Sequence, residues 1–201
     1  SRVGRGFVLS ARLLDAADPN LARQSPHDYV DGFVRAVRGA VRAAAKGDPD
    51  FAPERVIGIG IDTTGSSPLP VDRQGTPLAF HDAFADHLAA QAWLWKDHTA
   101  HAEASEITAK AAGSRTGYLG KCGGTYSSEW YWSKILRCRR VAPKVFDAAY
   151  SWAEAADFIP GWITGNRDPH TMARGICPAG HKAMYSEQWG GLPTKAFLRS
   201  V

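Results

Sequence analysis

Four short segments combine residue types suited to binding a polar small molecule. Ile61-Asp62-Thr63-Thr64-Gly65-Ser66-Ser67 runs from an apolar stretch into hydroxyls around a glycine. Ligands of open α/β sheets sit at the carboxyl ends of strands. Gly65 would let a ligand approach the backbone there, although the same residues read equally well as a plain turn. Trp93-Leu94-Trp95-Lys96-Asp97-His98 sets an aromatic plate beside a cation and a carboxylate. Stacking plus donors and acceptors suits a polyol; the competing reading is Trp in the core with Lys-Asp on a solvated turn. Tyr126-Ser127-Ser128-Glu129-Trp130-Tyr131-Trp132 reads as a helix start, with Ser127 or Ser128 as cap, Glu129 in the first turn, and Trp132 and Leu136 at core spacing. Gly180-His181-Lys182 reads as a polar, glycine-flanked loop whose lysine could hold an anionic or hydroxylated substrate or simply be solvated. His98 and His101 stand three apart, but no third metal ligand accompanies them.

These segments need elements to carry them. Ser25 as N-cap, Pro26 at the first helical position and Asp28 in the first turn open a helix over 26–46, with Val30, Phe33, Val34, Val37 and Val41 on one face. Residues 55–61 alternate Ile57, Ile59 and Ile61 with Gly58 and Gly60. That pattern predicts a central strand with the helix packed on its glycine face. Residues 69–78 read as a hairpin around Asp72-Arg73-Gln74-Gly75. Helices are expected near 83–92, 100–112, 128–138, 142–148 and 151–164. Gly6-Phe7-Val8-Leu9 could form an edge strand, and Asp18-Pro19-Asn20 reads as loop.

The bulk properties narrow the class. At 201 residues, 44% apolar and 22% charged, the chain has the composition of an ordered α/β domain rather than a disordered segment. No stretch reaches the roughly 20 apolar residues of a membrane span. Cys122, Cys138 and Cys177 are odd in number and widely spaced, which argues against a disulfide framework and favours a reducing, cytoplasmic setting. The net charge is +4. Its densest cluster, Lys134, Arg137, Arg139, Arg140 and Lys144, reads as the solvated end of a helix, where cations favour the dipole, and not as a nucleic-acid surface.

Taken together, the motifs point further. Asp62-Thr63-Thr64-Gly65-Ser66-Ser67-Pro68, Trp95-Lys96-Asp97-His98-Thr99-Ala100, Gly123 through Trp130, Cys177-Pro178-Ala179-Gly180-His181-Lys182-Ala183 and Trp189-Gly190-Gly191-Leu192-Pro193 resemble the ribulokinase branch of the FGGY carbohydrate kinases. Order and spacing match from about residue 22 to residue 193. The resemblance implies an α/β fold: an incomplete ribonuclease-H-like, actin-like ATPase domain of a sugar kinase, with residues 1–201 forming part of the N-terminal, sugar-side domain. The first strand with its Gly-x-Asp-x-Gly-Thr, the segment bearing the catalytic base and the ATP-binding domain would lie outside the chain. It implies ATP and Mg²⁺ as requirements of the full-length enzyme, with neither expected bound to this chain. L-ribulose or a related ketopentose is the implied substrate, and a homodimer stays open. By the same resemblance Gly65 lines the sugar with its backbone, Trp95 packs on its carbon face, Asp97 and Lys182 bond its oxygens, and Tyr126 lines the pocket. No catalytic residue or metal ligand is assigned within the chain. The alternatives are a kinase for another pentulose and a non-catalytic sugar-binding or interaction module.

Overall fold

The computed structural model describes residues 12–15 and 17–201. The expected strand around Gly6–Leu9 lies outside the described residues. Among the described residues, two small antiparallel sheets form the strand content. One has the order β1 (Arg12–Asp15), β2 (Asp18–Gln24), β4 (Ala92–Trp93); the other pairs β3 (Pro68–Val71) with β5 (Ser151–Glu154). Asp18-Pro19-Asn20 is therefore strand, not loop. Helix α1 (Pro26–Gly47) follows, as the Ser25-Pro26 signal predicts, and the Ser25 side chain accepts from the His27 N–H. Helices α2 (His101–Ala112), α3 (Tyr131–Val141), α4 (Pro143–Ala148), α5 (Ala155–Thr164), α6 (Ile176–Ala183) and α7 (Lys195–Ser200) supply the rest.

Several expectations are corrected. Residues 55–61 form no strand. A 3₁₀ turn at Pro53–Arg55 leads into irregular backbone, with Ile57 fully exposed, Ile59 56% exposed and open space around Gly58 and Gly60. Alternation puts side chains on two faces, but a strand exists only where a neighbour takes up its N–H and C=O groups. Among the described residues none does so here. Helix α1 packs instead against α5, with Tyr29 and Val30 joining Ile159 and Trp162 around the core that holds Phe158. Residues 83–92 hold turns and a 3₁₀ segment at Leu88–Ala90 rather than a helix, and residues 151–154 are strand because β3 pairs with them. The 72–75 turn forms as expected, with Asp72 N–H donating to the Thr76 carbonyl at 2.9 Å, but the returning strand shrinks to a single Val71–Pro77 bridge. Gly75 is required there. Its φ is +71°, and a Cβ would stand 1.8 Å from the Arg167 carbonyl oxygen.

Helix α3 is the hub. Its Cys138 belongs to a core with Trp93, Val145 and Trp152, and its Leu136 to a second core with Ile107, Tyr118, Tyr126 and Met184. A third core gathers Leu69, Val71, Ala153 and Phe158 around the β3–β5 pair. Helix α3 starts later than expected, at Tyr131, and Trp130 at its N-cap makes no side-chain cap bond. Ser127 accepts from the Glu129 N–H one turn upstream. The wedge between these cores is where the loops of the candidate site meet.

Candidate sugar-binding site

The loop at residues 65–67 leaves the irregular stretch and enters β3. The registration of Pro68 opposite Glu154 brings the Glu154 carboxylate under the loop. There it accepts from the Ser66 hydroxyl and, at 2.6 Å, from the Ser67 N–H. The Ser67 carbonyl accepts from the Ala155 N–H at 3.0 Å. The Ser67 hydroxyl in turn accepts from the Trp95 N–H at 3.1 Å, which joins this loop to the one after β4. Ser66 and Ser67 are buried, while Gly65 keeps partial exposure and the Trp95 indole is 44% exposed.

Lys182 arrives from the far side. It sits on α6, which contains the Gly180-His181-Lys182 run as a kinked helix and not as the expected loop; the kink is at Gly180, with φ −54° and ψ −105°. The last carbonyls of a helix lack intrahelical partners, and here three aromatic donors meet them in succession. Tyr126 Oη donates to the Lys182 carbonyl, Trp132 Nε1 to Ala183 at 2.8 Å and Trp189 Nε1 to Met184 at 2.9 Å. Held this way, the Lys182 ammonium lies over Gly65, 2.9 Å from where a Cβ on that residue would stand. Glycine leaves the space that the ammonium uses.

Of the five residues expected at a sugar site, Lys182 reaches Gly65, and Trp95 is tied through its backbone N–H to Ser67, two residues beyond Gly65. The other two do different work. Asp97 is fully buried, and its oxygens accept from the Ala22 N–H at 2.7 Å and from the Thr99 N–H and hydroxyl at 3.1 and 2.6 Å, with Arg23 as ion-pair partner. It fastens the loop after β4 to β2. Tyr126 is buried too; its hydroxyl donates to Lys182 and accepts from the Trp132 N–H at 3.0 Å, and burial pushes its phenol well above the ordinary tyrosine range. Both positions orient the edge rather than form its surface. His98 bonds Ser128 at 3.2 Å, and among the described residues no group of three or more His, Cys, Asp or Glu could hold a metal ion.

Sequence reasoning missed Glu154 and misread Lys134. The lysine is wholly buried, not part of a solvated helix end, whereas Arg137 and Arg140 from the same cluster do face Glu103. A signal was present: Lys134 stands four residues after Trp130 and four before Cys138, on a helix stripe that points inward.

No family model matches the chain. It is 42% identical over 180 residues to the ribulokinase of Vibrio parahaemolyticus serotype O3:K6, covering 89% of this chain and 31% of that protein. It is 36% identical over 184 residues to the ribulokinase of Shouchella clausii, covering 92% and 31%, and 37% identical over 180 residues to that of Mycolicibacterium smegmatis, covering 90% and 30%. The chain thus spans about a third of the length of the curated relatives it matches. In three dimensions it is similar to a xyloylose kinase from Brucella ovis, with a TM-score of 0.53 and 18% identity over 74% of this chain and 27% of that one. That likeness supports the α/β sugar-kinase fold expected from the motifs. No helix among the described residues is long and apolar enough to cross a membrane.

Proposed function

We propose that this chain forms the sugar-side wall of an ATP-dependent kinase that phosphorylates L-ribulose at its terminal hydroxyl. The observation that carries the reading is the seating of the Lys182 ammonium over the bare backbone of Gly65, in a loop whose Ser67 hydroxyl holds the backbone N–H of the exposed Trp95. An ammonium offers donors to a ketose carbonyl or hydroxyl, and the indole offers an apolar plate to the carbon face. Nothing in that edge supplies a general base, since Asp97 is fully occupied inside the fold. Similarity to ribulokinases over 89–92% of the chain supports the choice of L-ribulose.

ATP and Mg²⁺ would be held by the parts of such a kinase that lie beyond this third of its length. Among the described residues, no group of three or more His, Cys, Asp or Glu is placed to hold a cation. Phosphoryl transfer depends on holding the nucleotide in line with the acceptor hydroxyl and stabilising the charge. The chain alone is therefore expected to bind sugar without turning it over.

The test is a titration of L-ribulose, D-ribulose and D-xylulose into the chain, followed by indole fluorescence, with a coupled ADP-release assay alongside. L-ribulose should bind most tightly, Lys182→Ala should abolish the preference, and no sugar-dependent ADP release should appear. Equal binding of all three, or turnover lost in Lys182→Ala, would contradict the reading.

A further inference from the structure

We infer that Lys134 is the positioning residue of this site: its buried ammonium clamps the two loops that present Gly65 and Trp95, so that protonation of Lys134 sets sugar affinity. The inference rests on the proposed sugar site and adds to it a residue that never touches the ligand.

The clamp is built from backbone. Lys134 Nζ donates to the carbonyls of Ser66 and Leu94, each at 2.8 Å, and to that of Trp93 at 3.4 Å. Ser66 follows Gly65 and Leu94 precedes Trp95, so one ammonium fixes a peptide next to each contact residue. All three of its N–H donors are used, which a neutral amine with two donors and a lone pair cannot match. The loop joined in this way is the same one that Glu154 holds from below and Lys182 covers from above.

A buried cation of this kind is expensive for the fold, and the cost shows in its titration. Burial lowers the Lys134 ammonium from 10.5 to about 7. Glu154 on β5 and Glu129 ahead of α3 favour the charged form, while Arg23 on β2 and Lys182 on α6 oppose it. Glu154 is itself raised by burial, with its bonds from Ser66 and Ser67 and the Lys134 charge acting the other way. The sign for folding follows directly. Between about pH 7 and the ordinary lysine value the unfolded chain binds the extra proton, so stability rises with pH across that window. The clamp does the reverse and loosens as the ammonium is lost. A lysine that served stability alone would leave affinity flat or let it follow stability; a positioning lysine drives the two apart.

The experiment measures L-ribulose affinity and urea stability of the chain across neutrality, with the amide resonances of Gly65 and Trp95 as local reporters. Affinity is expected to fall by about tenfold as Lys134 deprotonates, while stability rises and the two amides shift with the same midpoint. Lys134→Arg, if folded, should flatten the affinity profile because its charge does not titrate. Affinity that is flat through the midpoint, or that follows stability, overturns the inference. Should the wild-type chain bind no pentulose at any pH, the sugar reading fails on its own account. Lys134 is then judged by the two amides, and their indifference to its titration overturns the clamp.

Discussion

Residues 57–61 and residues 66–71 lie within one short run of chain and have opposite fates. The first stretch carries three isoleucines yet stands in solvent, with Ile57 fully exposed. The second opens with two serines and two prolines yet is entirely buried. What separates them is supply of partners. Ser66 and Ser67 are met by Glu154, Lys134, Ala155 and Trp95, and β3 is met by β5. A buried polar atom is tolerable when it is bonded, whereas an apolar run without a ladder neighbour gains no strand. Hydrophobic content therefore forecasts burial here less well than hydrogen-bond accounting does.

Removing a partner from the well-supplied region should have the largest effect. Asp97→Ala should leave Arg23 buried without its carboxylate and free the Ala22 and Thr99 N–H groups. Removing one member of a buried pair costs about 3–5 kcal/mol, read as a lower urea midpoint. A loss within experimental error would mean that Asp97 is not the fastener described here. Gly65→Ala is the intermediate case. Its Cβ meets only the mobile end of Lys182, so stability should hold within about 0.5 kcal/mol while L-ribulose affinity drops about tenfold. Ile57→Ser sharpens the contrast from the other side. It should change the unfolding free energy by no more than about 0.5 kcal/mol, despite removing one of the three alternating isoleucines; a clear destabilisation would reveal packing that the exposed isoleucine does not show.

Where the sequence was legible, the information was local. Ser25-Pro26 opens α1, His101–Ala112 and Pro143–Ala148 hold their helical spacing, and Asp72 through Gly75 makes its turn. Where it was not, the deciding contact came from far away. Residues 151–154 are strand only because β3 is beside them, and among the described residues no strand lies beside residues 55–61. The site divides the same way. The meeting of Lys182 with Gly65 follows motifs that stand far apart in the chain. Asp97 and Tyr126 belong to those motifs for another reason, since their polar atoms are spent on the chain itself. Lys134 looked like part of a charge run because charge is visible in sequence and three waiting carbonyls are not.

In the proposed site the sugar lies against Gly65, Trp95 and Lys182. A competing location exists, a cavity of about 900 Å³ between α3, β5 and α6, lined by Tyr131, Trp132, Trp152, Glu154, Asp157 and Arg174. A crystal structure of the chain with L-ribulose decides between them. The expected result is a ketose oxygen within hydrogen-bond reach of Lys182 Nζ, with the carbon face of the sugar on the Trp95 indole. Density for the sugar beside Trp152 and Arg174, with the Gly65 edge empty, would contradict it.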